Sequence, residues 1–272
     1  MTNQPHEPSV SIVIPSFNRR HWIEEAIQSA IKQSYKNIVE IIVVDDASRD
    51  NTCAFLKAQY PNIKVIMNEQ NSGACFSRNR GAEVALGEYI AFLDSDDQFH
   101  YNKVQLQMDA IRNSGALIAT CAFEDIAGKV TCGKKLSQAT THSTLKYRNC
   151  LGGSSSLIIN KKLFLDYKFD ESFRAAQDWE LFFRLSKTNA IIHLTTPLYL
   201  YGVVSNDRIT SDAKSRYLGH KQLYDIHLNL YVSSNIAFFF LLNGLKKETR
   251  NKSPRKWNIQ MWLYEKTAQI FG

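Results

Sequence analysis

Three polar clusters each follow a run of apolar, largely β-branched residues. Ser16-Phe17-Asn18-Arg19 follows Val10 to Ile14, Asp45-Asp46 follows Ile38 to Val44, and Asp94-Ser95-Asp96-Asp97 closes Tyr89 to Leu93. Between them they gather five aspartates. Carboxylates brought together repel one another unless a cation or bound donors compensate. Oxygen-only ligands select a hard divalent ion, Mg2+ or Mn2+, over zinc. Mg2+ commonly takes one or two protein carboxylates and fills its shell with water and substrate phosphates, so the pattern implies a phosphate-bearing ligand as well as a metal. Singly, each motif has a plainer reading. Asp45-Asp46 suits a turn or cap, Asp94 to Asp97 suits a helix N-cap, and Arg78 and Arg80 suit a solvated surface. Joint placement at neighbouring strand ends is what favours chemistry, and it would put Arg78 or Arg80 within reach of a diphosphate or a base.

That placement depends on the elements between. Val10–Ile14, Ile38–Val44, Ile63–Met67, Tyr89–Leu93 and Ala116–Phe123 are predicted strands. Helical spacing recurs from Trp22 to Ile31, from Ser48 to Gln59, through Arg78 to Leu86, and at Val104, Met108 and Ile111. Strands alternating with helices, the strands near-continuously apolar, imply an α/β fold with a mostly parallel sheet covered on both faces. In such sheets ligands bind beyond the carboxyl ends of the strands, where the three clusters fall. Further strands are expected at Ser156–Asn160, Ile191–Leu194 and Leu198–Val204, and a helix at Trp179–Ser186. No linker divides the chain, which reads as one domain over 1–212 followed by a helical extension over 213–272.

Composition narrows the class. With 44% hydrophobic and 22% charged residues the chain is that of an ordinary globular protein. Five scattered cysteines form no C-x-x-C pair, which argues against a disulfide scaffold and for a reducing compartment. Met1 to Pro8 lacks an apolar core, and the longest apolar run, Ile236–Leu242, is too short to span a bilayer. A cytoplasmic protein is therefore expected. Of the net charge of +7, the segment from Leu241 onward carries +5. A basic, aromatic tail fits an anionic membrane surface better than nucleic acid, which is not expected as a partner. The competing reading of the tail, with Trp257, Met261, Tyr264, Ala268 and Phe271 at helical spacing, is packing on the domain or on a second subunit.

Other chemistries fail on spacing. No strand is followed by G-x-G-x-x-G, no P-loop occurs, and the histidines form no H-x-x-x-H pair. Asp94 to Phe99 lacks the glycine and glutamate of a calcium loop, and Gly152-Gly153-Ser154-Ser155-Ser156 lacks the second glycine of a nucleophile elbow.

Five segments resemble glycosyltransferase family 2, the nucleotide-sugar transferases of the GT-A fold. They are Val10 to Arg19, Ile42 to Thr52, Asn71 to Gly81, Gly87 to Asp97, and Phe169 to Phe173 with Gln177 to Arg184. The resemblance implies a GT-A catalytic domain with a nucleotide-sugar-binding half over 8–125 and an acceptor-binding half over 126–212. Pro15 and Asp46 would line the nucleoside pocket, with Phe17, Asn18, Arg19, Arg78, Asp94, Ser95 and Asp96 completing the donor site. Asp94 to Asp97 stands for the family's D-x-D element, with Asp96 and Asp97 on a Mn2+ or Mg2+ ion. Asp178 occupies the position of the catalytic base, preceded here by Gln177 where the family often has Glu. The Q-x-x-R-W element of processive members is absent after Asp178, so a non-processive, inverting transferase is implied. Its donor would be a nucleotide-sugar, UDP favoured by Asp46 facing uracil. A saccharide or lipid-linked acceptor in bacterial surface-polysaccharide synthesis would be its partner. Two alternatives stay open at this point. A sugar-nucleotide pyrophosphorylase would be expected to carry a glycine-rich basic loop where Pro15 to Arg19 has no glycine. A non-catalytic module would have lost some of Asp96, Asp97 and Asp178, and all three are present.

Overall fold

In the computed structural model the described residues are 7–146 and 148–202, with 219, 220, 222, 223, 226 and 227 beyond them. β1 (Val10–Ser16) is buried along its whole length, which is why its sequence is apolar without alternation. α1 (Ile23–Ile31) returns the chain to β2 (Ile38–Asp45), α2 (Thr52–Gln59) to β3 (Lys64–Met67), and α3 (Ala74–Glu83) to β4 (Tyr89–Phe92). β1 lies parallel to both β2 and β4, and β3 extends the parallel set beyond β2. β5 (Gln98–Phe99), α4 (Lys103–Ser114), β6 (Ile118–Asp125) and β7 (Val130–Thr131) follow. The chain then runs through α5 (Gln138–Leu145), β8 (Ile158–Asn160), α6 (Lys161–Tyr167), α7 (Gln177–Leu185) and β9 (Ile191–Tyr201).

Among the described residues all nine strands join one sheet, ordered β3-β2-β1-β4-β8-β6-β9-β5 with β7 paired to β6. β8 runs antiparallel to both of its neighbours, and β6 and β9 are again parallel. The expected mostly parallel sheet is thus present, with β8 set between its two parallel blocks. Strand alternation sends Ile12 and Ile14 to the face covered by Ile23, Ile27, Val104 and Met108. Val13, Ile42 and Val44 go to the other, under Ala82, Phe164, Trp179 and Phe182. α3 approaches closely because Gly81 has no side chain: a Cβ there would lie 2.5 Å from Val13 Cγ1.

Three local expectations need correction. The helix expected from Ser48 begins at Thr52. Asp45 Oδ2 accepts from the Ser48 N–H at 3.0 Å, and Ala47 and Asn51 adopt left-handed φ of 59° and 68°, so side-chain turns displace the first helical turn. The strand expected from Ser156 starts at Ile158, because Ser154–Ser156 form a 3₁₀ turn. The strands expected around Ile191 and Leu198 are one strand, β9, whose pairing with β6 shifts register where Pro197 lies opposite Ala122.

No helix among the described residues is long and apolar enough to cross a membrane. The boundary at 212 and the basic, aromatic tail lie outside the described residues. Of the expected extension, the few described positions are helical. Leu223 is buried, and His220 and His227 set their rings against Trp179 and Phe183 of α7.

Candidate active site

β1, β2 and β4 end on one rim because they run parallel in register, with Ser16 beside Asp45 and Val13 beside both Ile42 and Phe92. Pro15 is buried within β1 and Phe17 stands exposed just past it. Asn18 ties this loop to the next one: its N–H donates to Ser48 Oγ at 2.8 Å and its Oδ1 accepts from the Arg49 N–H at 2.8 Å. The Arg19 N–H likewise reaches Thr52 Oγ1 at 3.3 Å.

Asp46 is buried and well supplied with donors. Its Oδ1 accepts from Asn68 Nδ2 at 2.6 Å and the Ser72 N–H at 2.9 Å, and its Oδ2 from the Gly73 N–H at 2.8 Å. It therefore pins the loop that starts α3.

Arg78, half expected on the surface, is buried. Its Nη2 donates to Asp94 Oδ1 at 2.6 Å and its Nη1 to Gln177 Oε1 at 2.9 Å, with the guanidinium over the Phe169 ring. One cation thereby joins the end of β4 to the start of α7. Ser95 and Asp97 are buried, while Asp94 and Asp96 are half-buried. Asp97 Oδ2 accepts from Ser155 Oγ at 2.6 Å and Oδ1 from the Gly202 N–H at 2.8 Å. Burial, then the charges of Asp94 and Asp96, push the Asp97 carboxyl well above the usual carboxylate range.

Asp178 lies in the first turn of α7, half-buried. Its Oδ1 accepts from the Trp179 N–H at 2.9 Å and its Oδ2 from Asn149 Nδ2 at 3.2 Å. Burial pushes its carboxyl up to about 6; the Asp94 charge adds to this and the Arg78 charge opposes it. Gly153 lies beside the carboxylate: a Cβ there would stand in ordinary contact, 3.8 Å from Asp178 Oδ2. The Gly153 N–H donates to the buried Tyr199 hydroxyl at 3.1 Å. Trp179 is buried and donates from Nε1 to the Leu145 carbonyl at 2.7 Å, a core role rather than a stacking surface.

The structure thus brings Asp94, Asp97, Arg78 and Asp178 around one centre and ties Asp46 to the neighbouring loop. Sequence reasoning passed over Ser155, Asn149 and Tyr199. Ser155 Oγ accepts from the Asp94 N–H at 2.9 Å while donating to Asp97, so it holds both ends of the acidic motif. The sequence signal for Ser155 is the Gly152 to Ser156 run, which lacks a nucleophile elbow but supplies hydroxyls beside the acidic motif.

An all-oxygen, mutually repelling set suits a hard divalent ion. Among the described residues no three His, Cys, Asp or Glu side chains converge as ligands. Asp94 is ion-paired to Arg78 and Asp97 is doubly hydrogen-bonded, so a cation here would take water and phosphate oxygen for most of its shell.

The family model of Glycosyl transferase family 2 matches residues 11–174, which contain every one of these elements as far as the loop before α7. The chain is a family 2 glycosyltransferase. A relative of similar length is the E. coli UDP-Glc:alpha-D-GlcNAc-diphosphoundecaprenol beta-1,3-glucosyltransferase WfgD, 31% identical over 88% of this chain and 94% of its own. The putative teichuronic acid biosynthesis glycosyltransferase TuaG of Bacillus subtilis is 40% identical over 45% of this chain and 47% of its own. Among solved structures, S. aureus TarS 1–349 in complex with UDP-GlcNAc superposes with a TM-score of 0.63 at 20% identity, over 89% of this chain and 73% of that one. The likeness to TarS shows the shared GT-A fold. The family 2 glycosyltransferase carries that fold here with β8 as the antiparallel strand between its two parallel blocks.

Proposed function

We propose that this glycosyltransferase moves a sugar, with inversion, from a UDP-sugar to a lipid-linked saccharide in bacterial surface-polysaccharide synthesis. The observation that carries the reading is Asp178, a half-buried carboxylate held by Asn149, raised to about 6 and one cation away from the acidic motif. A base with its pKa just below working pH is both ionised and basic enough to take a hydroxyl proton. Asp178 removes that proton as the acceptor oxygen bonds to the sugar C1. The bond from C1 to the diphosphate oxygen breaks, and the nucleoside diphosphate departs with the electron pair. A single displacement of this kind inverts C1. A divalent ion near Asp96 and Asp97, Mn2+ or Mg2+, would supply neutralisation of the leaving diphosphate. Pro15, Phe17, Asn18, Arg19 and Asp46 would bound the nucleoside, and Asp94 and Ser95 the diphosphate side. Arg78, buried on Asp94 and Gln177, acts on the diphosphate through them.

The UDP and lipid-linked assignments rest on the relative acting on a diphosphoundecaprenol substrate. They imply work at a membrane face, where the basic tail from Leu241 would dock; liposome co-sedimentation of the full chain against a truncation before Asn243 tests that contact. Thermal melting with UDP, dTDP, GDP and ADP, each with Mn2+ and with EDTA, tests the donor site. A metal-dependent rise with UDP alone is the expected result. No rise with any nucleotide would bring forward a non-catalytic module.

A further inference from the structure

Lys103, the first residue of α4, is wholly buried, and so is Gln107 one turn on. Burying an ammonium is costly unless it is paired. Yet among the described residues the Lys103 Nζ meets no carboxylate: it donates to Gln107 Oε1 at 2.6 Å and sits 4.1 Å from the centre of the Phe99 ring. Burial lowers its ammonium to about 8, with Cys121 the titratable group facing it.

The amide between them has only one workable orientation. An ammonium only donates and a backbone carbonyl only accepts, so a side chain linking the two must offer oxygen to one and N–H to the other. Gln107 does this, its Nε2 donating to the Ser156 carbonyl at 2.8 Å. Ser156 ends the 3₁₀ turn whose Ser155 hydroxyl holds the Asp94 N–H and Asp97 Oδ2, and whose Ser156 Oγ and N–H both return to the Gly153 carbonyl. A neutral residue at 103 would leave the Gln107 amide free to turn over.

We propose that Lys103 is a positioning residue for the donor site: it orients the Gln107 amide, which anchors the Ser154–Ser156 turn and through it Asp94 and Asp97. This rests on the reading of that acidic motif as the donor site.

The test is UDP affinity in the presence of Mn2+, read beside the melting temperature, for Lys103→Met, Gln107→Glu and the double variant Lys103→Met/Gln107→Met. Gln107→Glu keeps the ammonium paired but removes the donor to Ser156. Lys103→Met relieves the buried charge. Each single variant is expected to melt no lower than the unsubstituted chain and to bind UDP about tenfold more weakly, the scale of one lost hydrogen bond. Because both act through one amide, the double variant should also lose about tenfold rather than a hundredfold. Unchanged UDP affinity in Gln107→Glu, or additive losses in the double variant, would overturn the proposal. So would failure of both single variants to fold, which would make the pair purely structural. Should Lys103→Met alone fail to fold, Gln107→Glu decides. An unsubstituted chain that binds no UDP would instead sink the functional reading beneath it.

Discussion

Arg78 holds Asp94 at 2.6 Å from a position almost closed to solvent, while its other arm reaches Gln177, next to the proposed base. A guanidinium donating to two elements this way fixes the distance between the acidic motif and the proposed base. Removing one partner of a buried pair leaves the other uncompensated. Arg78→Ala should cost roughly 3 kcal/mol in urea unfolding. It should also raise the Asp178 carboxyl further, since the Arg78 charge holds it down, moving the acid limb of the rate profile to higher pH. An unmoved acid limb in a folded variant would separate Arg78 from the base.

The raised Asp178 carboxyl has a stability consequence of definite sign. Between its ordinary value of 3.8 and about 6 the folded state binds the proton that the unfolded state has released. Stability therefore falls as pH rises through that window, and the full cost is present above it. Asp178→Asn should melt higher than the unsubstituted chain at pH 8, by on the order of 2 kcal/mol, and match it near pH 4. It should retain UDP binding and lose transfer; more than a tenth of normal turnover would reassign the base.

Gly87 faces the backbone of β1 most closely. A Cβ there would stand 2.4 Å from the Ser11 N and 2.8 Å from the Val10 carbonyl carbon, atoms of the central strand that cannot yield. Gly87→Ala should destabilise by about 3 kcal/mol or more in equilibrium unfolding, with UDP affinity kept in whatever fraction folds.

Among the described positions of the segment whose His220 and His227 rings lie against α7, Leu223 is the buried apolar side chain. Leu223→Ala should cost about 2–5 kcal/mol if that packing is integral to the domain. A loss below about 0.5 kcal/mol would show that α7 needs no cover there.

The rim was legible in the sequence because buried strands announce themselves. Val10 to Ile14, Ile38 to Val44 and Tyr89 to Leu93 are too apolar for anything but a covered sheet, so Ser16, Asp45 and Asp94 had to mark its ends. The resemblance then supplied Asp178, which no periodicity could have tied to Asp94 across so much chain. Lost to the sequence was whatever depends on contacts between distant segments. Ser155 matters only because β8 places it beside β4, and a serine run looks the same wherever it lies. The helical spacing of Val104, Met108 and Ile111 says nothing of Lys103, whose burial appears only once α4 is packed against the sheet. The helix expected from Ser48 starts only at Thr52 because Asp45 and Asp50 each offer the backbone a nearer partner than the next helical turn.

The antiparallel β8 has a mechanical consequence. It hydrogen-bonds to β4 on one side and β6 on the other, lacing the block that carries the acidic rim to the block that carries Tyr199. A continuous sheet has no hinge line, so the two blocks cannot clamp on a substrate as jaws do. Closure, and with it any exclusion of water from the leaving diphosphate, falls to the loops at the rim. Substrate range in this enzyme should therefore drift by loop exchange at constant framework, as grafting a relative's loops onto an unaltered sheet would reveal.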